Sequence, residues 1–225
     1  MRLATSTIVL ASVGVLFGQT EVATRLEEAA TVFSEVMSTP DKAIPQQLLD
    51  KAQCLVVVPG LKKGAFIVGA KYGKGFISCR KKSGVGWTGP AAIRVEGGSV
   101  GFQIGGSETD VIMTVMNERG AQRLLSSKFV VGGDASVAAG PVGRTATAQT
   151  DAYMTAEILS WSRSRGIFAG VALNGATLRP DLDDDKELYG KAVDNQQIIT
   201  QEFPPPKTAE RLISLFNKYS SRKGQ

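Results

Sequence analysis

Histidine is absent from all 225 residues. That removes the commonest general base, the nucleophile triads built on imidazole, and zinc sites that need a histidine ligand. Aromatic residues make up only 7% of the chain, and no aromatic stacking platform for single-stranded nucleic acid is interleaved with the lysines. Nucleic acid is therefore not expected as a partner. No internal repeat and no linker long enough to divide the chain is present. The only long apolar run is Leu3 to Gly18, shorter than the roughly 20 residues that a membrane span requires.

With Met1-Arg2 before it, that run has the form of a signal-peptide core. Residues 1–20 are read as a signal peptide ending near Gly18-Gln19-Thr20, with an uncleaved anchor as the alternative. No cysteine lies nearby to be acylated. The chain is expected to be exported, periplasmic or secreted, with one domain over 21–220 and a polar tail at 221–225. At 43% hydrophobic and 21% charged, that domain can bury a sizeable core. The net charge of +5 and pI near 9.2 permit an anionic partner without demanding one.

Cys54 and Cys79 are the only cysteines. Residues 53–58, 64–70 and 75–81 read as a three-strand meander that places the two on its outer strands. Two strand spacings amount to roughly 9–10 Å, beyond the ~7 Å bridging limit. The reading favours two buried free thiols over a disulfide.

Elsewhere the pattern predicts α+β. Glu21 to Thr39 has helical periodicity, with Thr24-x-x-Glu27 as a capping box and Pro40 as a stop. Gln46 to Ala52 continues as a short helix after Pro45. From Cys54 to about Gly175, short apolar or alternating runs punctuated by glycine read as a largely antiparallel β-barrel or sandwich. A helix at Glu118–Ser127 interrupts the strands, and Tyr153–Trp161 is open to either a strand or a helix. Asp181–Lys191 and Lys207–Tyr219 read as flanking helices.

Several strings mimic chemistry. Gly84-Val85-Gly86-Trp87-Thr88-Gly89 satisfies G-x-G-x-x-G, but Pro90 and a strand-like run follow it, so turn glycines explain it. Asp181, Asp183, Asp184, Asp185 and Glu187 miss the EF-hand spacing and read as a solvated acidic helix start. Ser220-x-x-Lys223 lies in a polar tail without companion motifs. No catalytic residue, metal ligand or cofactor site is assigned.

The basic residues group more tellingly. Lys62, Lys63, Lys71 and Lys74 fall in turns of the proposed meander, and Arg80, Lys81 and Lys82 close it. Loop 59–63 and the end of the third strand are expected at one sheet edge, where their cations would converge on phosphate headgroups. The alternative is a set of solubilising loop charges. Arg163 and Arg165 share one face if extended, to receive a phosphate or to pair with acids such as Asp183 and Asp185.

Arg165-Gly166-Ile167-Phe168-Ala169-Gly170-Val171-Ala172-Leu173-Asn174-Gly175, preceded by Trp161, resembles the hallmark block of SYLF lipid-binding domains. Pro40-Asp41-Lys42-x-Ile44-Pro45, Trp87-Thr88-Gly89-Pro90-Ala91, Gly101-Phe102-Gln103-Ile104-Gly105 and Gly140-Pro141-Val142-Gly143-Arg144 extend the likeness in order, from about residue 24 to 219. The resemblance implies a non-enzymatic module that binds phospholipid or a membrane surface, without a cofactor, of the stand-alone bacterial secreted type. Eukaryotic relatives bind phosphoinositides, and fungal ones also actin. Here the first helix carries Glu21, Glu27, Glu28 and Glu35 against Arg25 alone, so actin is not expected as a partner. The competing reading is a structural or partner-binding envelope protein without lipid specificity.

Overall fold

In the computed structural model, residues 20–39, 43–65, 68–100, 105–142, 156–164, 167–169, 173 and 175–220 are described. Helix α1 (Glu21–Ser38) starts at Thr20, whose hydroxyl accepts from the Ala23 amide at 3.3 Å. The capping position is therefore Thr20 rather than Thr24, whose own amide already bonds to the Thr20 carbonyl. Val22, Leu26, Ala29, Phe33 and Val36 form the buried stripe that the periodicity predicts. A second helix, α2 (Gln46–Lys51), follows Pro45.

The expected meander is instead one long hairpin. Strand β1 (Cys54–Ala65) pairs antiparallel with β2 (Val68–Cys79), and Cys54 faces Cys79 directly. The two are joined by a disulfide with an S–S distance of 2.02 Å. The expectation of free thiols fails because no strand intervenes. Lys62 to Ala65 and Gly69 to Tyr72 are themselves paired strand residues, not turns.

The sheet continues through β3 (Ala91–Val100), β4 (Gly105–Val115), β5 (Phe129–Val130), β6 (Val137–Ala139), β7 (Ile158–Ser164), β8 (Ile167–Ala169) and β9 (Thr177–Pro180). Its order is β5-β9-β3-β2-β1-β4-β7-β6, with β8 on β7. Among the described strands, β6 and β7 pair in parallel and the other pairs are antiparallel. Tyr153–Trp161 resolves in favour of a strand at its described end, since Ile158–Trp161 belongs to β7. A flat sheet of that order would hold β5 and β6 roughly 33 Å apart. Residues 131–136, which join them, reach at most about 25 Å, and Val131 bridges Ala135. The sheet must therefore curl, which gives the barrel-like form expected.

Both faces of the curl are buried. Val56, Val58, Ile77, Val95, Met113 and Phe129 fill the inside. Leu55, Val57, Phe76, Ile112 and Trp161 face outward against α1, α2 and α6 (Glu210–Ser220), where Phe33 and Phe216 meet edge to face at 4.8 Å. Burial on both sides is why Leu55-Val56-Val57-Val58 is continuously apolar rather than alternating. The G-x-G-x-x-G string is a turn leading into β3, as expected.

Helices α3 (Glu118–Leu124), α4 (Leu182–Tyr189) and α5 (Asn195–Thr200) complete the domain. Among the described residues no helix is long and apolar enough to cross a membrane. The acidic start of α4 is not solvated: Asp181, Asp184 and Asp185 are buried. Asp184 pairs with Arg25 at 2.6 Å, and Lys74 pairs with both Asp181 and Asp184. These partners lie in distant elements, so no local pattern reveals them.

The Gly140-Pro141 motif rests on Trp161. Trp161 Nε1 donates to the Pro141 carbonyl at 2.9 Å, and a methyl group on Gly140 would lie inside the indole ring. Gly140→Ala should destabilise the fold by ~1–3 kcal/mol through overpacking. A lowered chemical-denaturation midpoint is expected; an unchanged midpoint would show that this loop does not depend on the indole.

Candidate functional site

The far end of the β1–β2 hairpin carries Lys62, Lys63 and Lys71. A register shift between Val58 and Leu61 interrupts the alternation of β1. Leu61 belongs to the inner cluster, so Lys63 follows on the inner side and Lys62 on the outer. Lys63 lies opposite Lys71 on β2. Like charges directly across an antiparallel pair repel, and burial followed by that repulsion lowers the Lys63 pKa below its usual value. Among the described residues neither Lys62 nor Lys63 makes an ion pair.

Lys62 and Lys63 border an open cleft of about 1100 Å³ that continues over Gly106, Ser107 and Glu108 of β4 to Arg163 and Ser164 of β7. Its far wall is an ion network. Arg163 holds Asp110 through Nη2 at 2.8 Å and Glu35 of α1 through Nη1 at 2.6 Å. Burial works against the charge on Arg163, but its hydrogen bonds to Asp110 and Glu35 outweigh this and raise its pKa. The second oxygen of Asp110 accepts from the Gly60 amide at 3.0 Å, so the network also pins the irregular part of β1.

Arg163 thus has acidic partners, but they are Asp110 and Glu35, not Asp183 or Asp185. The β4–β7 register, which sets Asp110 opposite Arg163, decides this. Arg165 lies outside the described residues, as does half of the glycine-rich block that follows it.

The remaining basic residues do not converge with the hairpin. Lys74 points to the outer face and is consumed by Asp181 and Asp184. Burial lowers its pKa, but the two aspartates more than compensate and raise it. Arg80 is buried, stacks 4.1 Å from the Trp87 ring centroid and donates to the carbonyls of Leu49 and Ala52. Lys81 and Lys82 follow it at the disulfide end, about eight residues along the strands from Lys62, a separation of roughly 25 Å. The single edge assumed for all of them does not exist.

Sequence reasoning missed Asp110, Glu35, Ser107 and Glu108. Their signal was weak, because each acquires its place through cross-strand register rather than local spacing.

Comparison with known proteins adds an independent line. Residues 96–219 match a family model described as "Ysc84: Las17-binding protein actin regulator". The chain is 30% identical over 193 residues to SH3 domain-containing YSC84-like protein 1 of Rattus norvegicus, covering 84% of this chain and 56% of that protein. It is 30% identical over 199 residues to the Xenopus laevis protein of the same name, covering 88% and 58%. It is 31% identical over 179 residues to Protein YSC84 of Saccharomyces cerevisiae, covering 78% and 38%. The chain therefore spans only about half the length of most of these relatives, or less. The match overturns the expectation that actin is not a partner, because actin regulation is part of the family's description. The acidic face of α1 behind that expectation is also not bare: Glu35 pairs with Arg163, and Glu27 with Arg211.

Proposed function

The chain belongs to the Ysc84 family, a family of binding and regulatory domains, and from that premise we propose that it binds the phosphate headgroup of a membrane phospholipid without catalysis. Lys62, Lys63 and Lys71 at the hairpin end make the contact. The observation that carries this reading is the opposed pair Lys63 and Lys71 beside an open cleft. Held in register by the sheet, the two ammonium groups repel, and a bound phosphate would offset that repulsion. Arg163 borders the same cleft and orders its wall through Asp110 and Glu35. Arg80 and Lys74 serve the fold. The Cys54–Cys79 bond supports an oxidising, extracytoplasmic setting, in keeping with the signal-like residues 1–20.

Flotation with neutral and anionic vesicles tests this. Binding to phosphatidylglycerol-containing vesicles at low salt is expected, falling as salt rises. At about 1 kcal/mol per cation near an anionic surface, replacing Lys62, Lys63 and Lys71 with Gln should weaken binding tenfold or more. The melting temperature should hold or rise, since a repulsion is removed. Lys82→Gln should change little. Equal binding by the triple variant would reject the hairpin as the contact.

A second reading rests on the description of the family model, whose match covers everything from the end of β3 to α6. It makes the domain an actin-regulating module. Co-sedimentation with filamentous actin in the absence of lipid tests it, and a protein left entirely in the supernatant would reject it.

A further inference from the structure

We propose that a second site, separate from the hairpin cleft, lies on the outer face of β3 and β9 and takes an aliphatic monocarboxylate. Arg94 and Arg179 lie directly opposite each other there. They face outward because Ile93, Val95 and Leu178 fill the inside. Two guanidiniums in direct register repel, and a single carboxylate stands between them. Glu96 lies 3.0 Å from Arg94 Nε and 3.6 Å from Arg179 Nε. Arg94 Nε is buried without an aligned hydrogen bond. The shortest contact of Glu96 with each arginine is through Nε, and the terminal nitrogens of a guanidinium are atoms that can grip a carboxylate as a planar fork.

The two arginines open onto a pocket of about 360 Å³ whose apolar wall is Leu125, Pro180 and Leu182. That volume suits a small organic ligand. Leu182, the first residue of α4, is 54% exposed and among the most exposed large hydrophobic residues described. An apolar tail against it would remove that surface from water. Asp194 also lines the pocket, although its carboxylate caps α5 by accepting from the Gln197 amide at 2.7 Å. Its negative charge opposes a dianion, so the wall selects a carboxylate with one charge over a phosphate. This site shares no residue with the lysine hairpin, and Lys63 and Lys71 face the opposite side of the sheet.

Titration with octanoate, below its micelle-forming concentration, tests the proposal by calorimetry and by methyl NMR of the leucines. Saturable binding is expected, with shifts at Leu125 and Leu182. Octanol and inorganic phosphate should each bind at least tenfold more weakly, the one lacking the charge and the other the tail. Arg179→Gln should weaken octanoate at least tenfold at unchanged melting temperature, and Leu182→Asn several-fold. The Lys63→Gln, Lys71→Gln variant should bind octanoate normally, so failure of the hairpin reading leaves this one standing. Absence of saturable binding would overturn the site. So would shifts confined to other residues, octanol binding as tightly as octanoate, or wild-type affinity in both pocket variants.

Discussion

Replacing Asp185 with Asn should stabilise the protein at pH 8 by several kcal/mol and leave it unchanged near pH 4. Asp185 is fully buried at the start of α4. Burial pushes its pKa up to about 8 from an ordinary 3.8, and Asp181, Asp184 and Asp194 add to the effect against the opposing hydrogen bond from Ala92. One oxygen of Asp185 accepts from the Ala92 amide at 2.6 Å, while Asn195 of α5 donates to the Ala92 carbonyl at 3.0 Å. The two side chains thus clamp one backbone unit of β3. Asp185 Oδ2 and Asn195 Oδ1 are buried without a hydrogen-bond partner. Deprotonated, Asp185 leaves two buried acceptors unmatched; a proton turns one of them into a donor.

The sign follows from the proton count. The unfolded carboxyl loses its proton near pH 4, and the folded one near pH 8. Between those values the folded state holds the extra proton, so stability falls as pH rises through that window and levels off above it. At 1.36 kcal/mol per unit the total is on the order of 5 kcal/mol. Asn supplies the donor at every pH and keeps the shape. The wild-type-minus-variant difference from denaturant unfolding at pH 4 to 8 isolates Asp185, because other titrating groups cancel. Parallel curves across that range would show that the carboxyl is solvated.

What the sequence revealed and concealed follows the same division between local and distant causes. Helices α1 and α6 were legible because their stripes recur within a few residues. The apolar strand centres were legible for the same reason. The hairpin was misdivided because the outer halves of β1 and β2 are rich in glycine and lysine, a composition that ordinarily marks turns. Here those residues continue the ladder from Lys62–Tyr72 to Ala65–Gly69. Helix α5 escaped the sequence reading, although Asp194 and Gln197 form a reciprocal capping box at its start. The buried aspartates of α4 had no such local signal. An acidic run is solvated by default, and only Lys74, Arg25 and the Ala92 amide, 93 to 159 residues away, make burial tolerable. For the site, Lys62, Lys63 and Lys71 stood out as cations. The pairing of Arg163 with Asp110 spans 53 residues and depends on a β4–β7 register that sequence spacing does not encode.

Reduction of Cys54–Cys79 should lower stability by about 3–4 kcal/mol. The bond closes a loop of 25 residues in sequence, and a cross-link of that length removes roughly this much free energy from the unfolded chain's advantage. It ties the base of the β1–β2 hairpin where Cys54 also pairs with Val115 of β4, so the constraint acts on the centre of the sheet rather than on a frayed edge. At about 2–4 °C per kcal/mol for a domain of this size, the melting temperature should drop by roughly 6–16 °C when the protein is unfolded in reductant. The Cys54→Ala, Cys79→Ala variant should melt near the reduced value and ignore reductant. Both cysteines are buried, at 0% and 5% exposure, so native protein should resist reductant at room temperature and yield no reactive thiol until denatured. Two thiols alkylated in denaturant without reductant, with equal melting temperatures in oxidised and reduced samples, would reject the bond. A lone drop in melting temperature without any change in affinity for anionic vesicles would assign the disulfide to folding alone, because it sits at the opposite end of the hairpin from Lys62 and Lys63.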